Sequence, residues 1–233
     1  MQFHHLINID KIINVGTNAD TSESSKIISS KFKDFLYYTV GVHPHDAGSA
    51  YSIKDLEALS NEAVAIGECG IDTTEEGFNE VKLKKQIETF DEMIDLSNRK
   101  NLPLIIHCRG NKAFKVTLER VKNSKVKNIV MHSFTGRLKQ SDLILNKGIF
   151  MSFNGICTFK NAEEVRKILS IYPLELMLAE TDSPFLTPHP FRGKQNDPSF
   201  IKLVYEKIAE VKRLNFEETV KILDLNALAF FRM

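Results

Sequence analysis

The chain has no excess of either charge: 31 Lys and Arg stand against 30 Asp and Glu in 233 residues. That balance excludes a broadly basic surface that coats nucleic acid, so any such contact must be local. Cysteine is scarce. Cys69, Cys108 and Cys157 form an odd set with no CxxC pairing, which excludes a disulfide framework and fits a reducing cytoplasm. No apolar run approaches the length of a membrane span. The opening MQFHHLINIDK lacks the basic start and apolar stretch of a signal peptide. Repeats, low-complexity tracts and linkers are also missing. The expectation is one soluble, cytoplasmic domain over residues 1–233 with no membrane partner.

What is present is an alternation. Short apolar runs alternate with segments of helical period, the pattern of parallel strands joined by crossover helices. The runs fall at 11–17, 37–43, 63–70, 103–109, 128–134, 148–155 and 176–182. The clearest helix is predicted over 80–100, where Leu83, Ile87, Phe90 and Ile94 share a face. Asp197-Pro198 reads as an N-cap and first-turn proline opening a helix over 199–212. The apolar fraction of 42% supports a substantial core. The predicted fold class is α/β, a TIM (β/α)₈-type barrel in which seven strands are visible and the first is missing.

Four of the runs end on side chains that bind metals. Glu68 closes AVAIGE, His107 closes PLIIH, His132 closes NIVMH and Asp182 closes LMLAETD. Ligands at the C-terminal tips of separate barrel strands predict a metal centre at the barrel mouth. Imidazole with carboxylate suits Zn²⁺, Mn²⁺ or Mg²⁺. Asp182 is the candidate general base. Strand alternation turns Ile105 and His107 inward and sends Cys69 and Cys108 outward, as packing residues. Arg109 shares the face of His107 and is placed to grip phosphate. Glu180 has the parity of Asp182 and is placed to orient a ligand histidine.

GVHPHDA (41–47), IGECGID (66–72), PLIIHCRG (103–110), MHSFTG (131–136), ETDSPFLTP (180–188) and RGKQNDP (192–198) resemble, in order and spacing, the signature blocks of the TatD family. The resemblance implies a metal-dependent hydrolase, in many members a deoxyribonuclease, on an amidohydrolase-like TIM barrel. It implies up to two divalent cations held by Glu68, His107, His132 and Asp182, with Glu68 bridging them and Asp182 also acting on the attacking water. His43 and His45 resemble the substrate-contacting pair of the family, and Asn196 is placed at the mouth with Arg192 and Lys194. The predicted activity is hydrolysis of DNA phosphodiester bonds, from an end.

The chain departs from the family at its front. Members carry an His-x-His pair on the first strand; here His4 and His5 are adjacent, and adjacent strand residues face opposite ways. The ten residues before the run at 11–17 leave no room for a strand and crossover, so Phe3 to Ile9 reads as the tail of a helix. Either two imidazoles are lost and the barrel has an open seam, or the missing strand lies upstream; a first element ending in mid-helix favours the second account. Two rivals follow: an amidohydrolase of small cyclic amides or esters, and an inactive barrel kept as a scaffold.

Overall fold

The computed structural model describes residues 9–233. The helix tail expected over Phe3 to Ile9, like the His4-His5 pair, falls almost wholly outside the described residues. The chain divides into two compact units, one of Lys11–Met131 with Phe231–Met233, the other of His132–Phe230 with Ile9 and Asp10.

The first unit is a parallel sheet in chain order. Strands β1 (Ile12–Asn14), β2 (Leu36–Val40), β3 (Ala65–Asp72), β4 (Leu104–Arg109) and β5 (Ile129–Met131) pair each with the next, all parallel. Helices α1 (Ala19–Ser29), α2 (Ile53–Leu59), α3 (Glu80–Lys100) and α4 (Ala113–Lys122) make the crossovers. Ala65, Ile66, Cys69 and Ile71 on β3 and Leu104, Ile105 and Ile106 on β4 are all buried. Burial of consecutive residues means both sheet faces are covered, which is why these strands read as unbroken apolar runs. Helix α3 starts where Asn79 accepts hydrogen bonds from the Val81 and Lys82 amides, and stops at Asn101, whose φ of 51° is left-handed. Leu83, Phe90 and Ile94 are buried on its inner face.

One irregularity matters for function. Ile66 pairs with Leu104 but Cys69 pairs with Ile106, so β3 carries one extra residue around Glu68. Such a bulge bends the strand and re-aims its side chains. Gly67 makes it possible: its φ is 135°, and a Cβ there would come within 2.5 Å of the Ile105 carbonyl oxygen.

The second unit holds strands β6 (Phe150–Phe153) and β7 (Met177–Ala179), paired in parallel, with helices α5 (Leu138–Leu145), α6 (Glu163–Ile171) and α7 (Ile201–Lys212). Helix α8 (Phe216–Phe231) belongs to it except for its last residue. Asp197 caps a 3₁₀ turn over Pro198–Phe200, and α7 follows, as its Asp-Pro signal predicts.

All seven predicted strands are present, most of them shorter than their apolar runs. Strand β3 differs, running on to Asp72 where the sequence suggested an end at Gly70. Strand β7 stops at Ala179, so Glu180 and Asp182 lie past it; Asp182 turns the chain with a φ of 58°, and strand alternation no longer governs that stretch.

Candidate metal centre

In the first unit the tips of β2, β3 and β4 bring together His43, Glu68, Asp72 and His107. Glu68 Oε1 lies 2.8 Å from His107 Nδ1 and 3.6 Å from His43 Nε2. His107 turns its other nitrogen, Nε2, to Asp72 Oδ2 at 3.0 Å. One ligand atom each from His43, Glu68 and His107 fall within 4.8 Å of one another, a spacing that suits a cation.

Asp72, which the sequence reading passed over, sets the chemistry of this cluster. It is 1% exposed, and its Oδ1 accepts from both the amide and the hydroxyl of Thr74 at 2.7 Å. Gln86 of α3 clamps its backbone, donating Nε2 to the Asp72 carbonyl and accepting from its amide, both at 3.0 Å. Burial pushes the carboxyl up, but the hydrogen bonds from His107 and Thr74 outweigh it and hold the group well below the usual carboxylate range. An ionised Asp72 only accepts, so the proton of a neutral His107 sits on Nε2 and the lone pair on Nδ1. Nδ1 then faces Glu68 Oε1 at 2.8 Å, two acceptors that a shared proton or a cation would join, and His43 Nε2 lies 3.3 Å from the same nitrogen. The donor set fits a divalent ion for that reason. A histidine whose far nitrogen is held by a buried carboxylate is how proteins present imidazole to a metal.

His43 has a different character. Its Nδ1 accepts the His45 amide proton at 3.2 Å, which leaves a proton on Nε2 of the neutral ring. Burial, reinforced by the neighbouring His107 and His45 and opposed by the Glu68 charge, lowers its pKa to about 4. At neutral pH His43 is therefore an uncharged donor aimed at the cluster. His45 is half exposed and sets Nε2 at 3.3 Å from Asp72 Oδ2. Arg109, at the exposed end of β4, pairs in register with Asp72.

The second unit repeats the arrangement around His132. Its Nδ1 lies 2.9 Å from Glu180 Oε1, so the acid takes the opposite ring nitrogen from the one Asp72 takes on His107. Ser152 donates its hydroxyl to Glu180 Oε2 at 2.5 Å, and Asn154 donates Nδ2 to Oε1 at 3.1 Å and to Ser133 Oγ at 2.8 Å. The placing of Glu180 beside a histidine is as its sequence position suggested.

Asp182 opens the loop that leads to α7. Asn196, 4% exposed, donates Nδ2 to the carbonyls of Thr181 at 2.7 Å and Phe185 at 2.5 Å, and its amide bonds the Pro184 carbonyl at 3.0 Å. Its side chain is thus committed to holding the Asp182 loop. Arg192 and Lys194 are exposed on the same loop. Gly155 lets the loop lie close: a Cβ there would meet the Leu186 carbonyl oxygen at 2.0 Å.

The cysteines carry no chemistry. Burial pushes all three thiols up, Cys108 to about 11 and Cys157 to about 12, and Cys69 is fully buried with its Sγ 3.6 Å from the Ile105 carbonyl.

Parallel strands with crossover helices, and imidazole–carboxylate clusters at their C-terminal tips, define a metal-dependent hydrolase of the α/β-barrel class. The chain belongs to the TatD family: residues 6–232 match the family described as TatD related DNase. It is 37% identical over 232 residues to the uncharacterized metal-dependent hydrolase YabD of Bacillus subtilis, covering 97% of this chain and 88% of that one. It is 31% identical over 234 residues to the 3'-5' ssDNA/RNA exonuclease TatD of Edwardsiella piscicida, covering 97% and 89%. Among solved structures, the TatD homologue YjjV of Escherichia coli superposes with a TM-score of 0.87 at 25% identity, over 96% of this chain and 87% of that one.

Proposed function

We propose that this hydrolase cleaves phosphodiester bonds of single-stranded nucleic acid, DNA foremost, from an end. The observation that carries the reading is the Glu68–His107–Asp72 arrangement, an ionised buried acid that leaves an imidazole lone pair facing a carboxylate at 2.8 Å. The exonuclease name borne by relatives such as that of Edwardsiella piscicida supports the substrate class.

In this reading Glu68 and His107 would hold a divalent ion, Mg²⁺, Mn²⁺ or Zn²⁺, and His132 and Asp182 are further ligands for one or two such ions. A bound divalent ion polarises a phosphoryl oxygen and lowers the pKa of water toward neutrality. Asp182 takes the proton of the attacking water at its carboxylate. His43 Nε2–H donates to a phosphate oxygen, and His45 and Arg109 contact the same group from the rim. Arg192 and Lys194 hold the strand beyond it, while Asn196 keeps Asp182 in place.

Hydrolysis of a labelled single-stranded oligonucleotide, with Mg²⁺ or Mn²⁺ and with EDTA, tests the reading. Cleavage that EDTA abolishes and that Asp182→Asn reduces by about 10²- to 10⁴-fold, with the metal still bound, is the expected result. Metal-dependent opening of a cyclic amide or ester with no action on any oligonucleotide would transfer the site to the amidohydrolase alternative.

A further inference from the structure

The loop after Asp182 carries a surface that the chemistry above does not use. Phe185, three residues beyond the proposed base, is 68% exposed. A lone exposed hydrophobe is ordinary on a protein surface, but this ring sits on fixed backbone. Its amide donates to the Asp182 carbonyl at 2.8 Å and its carbonyl accepts from buried Asn196. The next residue, Leu186, lines an open hollow of about 310 Å³ together with Phe159, Ile156 and Thr135. Arg192 lays its guanidinium over the Phe159 ring at 3.9 Å, and Lys194 stands 5.3 Å from the Phe191 ring. Among the described residues neither cation has a carboxylate within ion-pair distance, so both charges face solvent. Glu164 also lines the hollow but accepts from the Leu138 amide at 3.2 Å.

Apolar rings on a hydrogen-bonded backbone beside unneutralised cations match what a single strand offers, a flat base and a charged backbone. The preset backbone limits the entropy lost when a base lands. A duplex keeps its faces stacked internally and has none to give, so the fit is to unpaired nucleotides. We propose that Phe185 and the hollow between Leu186 and Phe159 form a base-stacking subsite for single-stranded nucleic acid, whose phosphates Arg192 and Lys194 hold. The proposal rests on the phosphodiesterase reading and adds to it a grip on the base next to the bond that is cut.

The test is fluorescence anisotropy with two labelled probes in Ca²⁺: an oligothymidylate of about a dozen nucleotides, within the usual span of such sites, and an abasic strand of equal charge. The wild type is expected to prefer the oligothymidylate by about tenfold, the worth of one stacked base. Phe185→Ala should lose that preference while binding the abasic strand as before, and Phe185→Trp should restore it. Thermal melting of each variant controls for folding. Equal binding of both probes by the wild type, or an unchanged preference in Phe185→Ala, would overturn the subsite. If the wild type still cleaves oligothymidylate in Mg²⁺, the phosphodiesterase reading survives that result; if it neither binds nor cleaves, both fall.

Discussion

His107 in the first unit and His132 in the second are held by the same device turned opposite ways. Asp72 takes Nε2 of His107 at 3.0 Å, whereas Glu180 takes Nδ1 of His132 at 2.9 Å. The route by which each acid arrives explains the difference. Asp72 reaches from the neighbouring strand β3, two residues beyond Gly70, which pairs with His107. Glu180 comes from the end of β7 and shares its oxygens with Ser152 and Asn154 of the β6 segment. Each acid is fixed by its own hydrogen bonds before it fixes a ring. The orientation of an imidazole is therefore set one layer behind it, by a residue that need not touch any ion.

Ligand substitution aside, the largest effect should come from breaking that layer. Asp72→Asn leaves the proton position on His107 unspecified, and Glu180→Gln does the same to His132. Each should weaken divalent-metal affinity by about 10- to 100-fold, read by isothermal titration. A somewhat smaller effect is expected from Asn196→Ala, which leaves the Thr181 and Phe185 carbonyls without their donor. Losing such a partner costs about 1–3 kcal/mol, so the denaturant midpoint should fall without a change in slope.

The smallest effect separates His43 from the other histidines by pH. Burial keeps its folded pKa near 4 against an unfolded value of 6.5. Between those values the unfolded chain takes up a proton that the folded chain refuses, so stability is retained above pH 6.5 and lost as the pH falls toward 4. In EDTA, His43→Gln should flatten the fall in stability between pH 7 and about pH 5. An identical profile in both proteins would mean that His43 is not held neutral.

Much of this arrangement was legible in the residues. The seven apolar runs marked the strands because parallel strands buried on both faces have no polar alternation to disguise them. The helix over 80–100 matched to the residue, since Asn79 and Asn101 cap it at both ends. Strand ends were less legible, because they depend on backbone turns such as that at Asp182 and on the bulge at Gly67. Asp72 falls outside an apolar run that ends at Gly70, yet the sequence carries a signal for it, since it stands four residues beyond Glu68 and so shares its strand parity. The commitment of Asn196 to backbone carbonyls had no sequence signal, because its partners lie 11 and 15 residues away on a loop of irregular path. The tautomer of His43 was equally hidden, being set by one amide hydrogen bond.

Glu68 and His107 either bind a cation or share a proton. Isothermal titration of Mn²⁺ or Zn²⁺ into the metal-free protein, beside Glu68→Gln, asks this directly. The account predicts saturable binding by the wild type and a loss of at least about 100-fold in Glu68→Gln, since a charged ligand becomes a neutral amide. Equal affinity in the two proteins would contradict it.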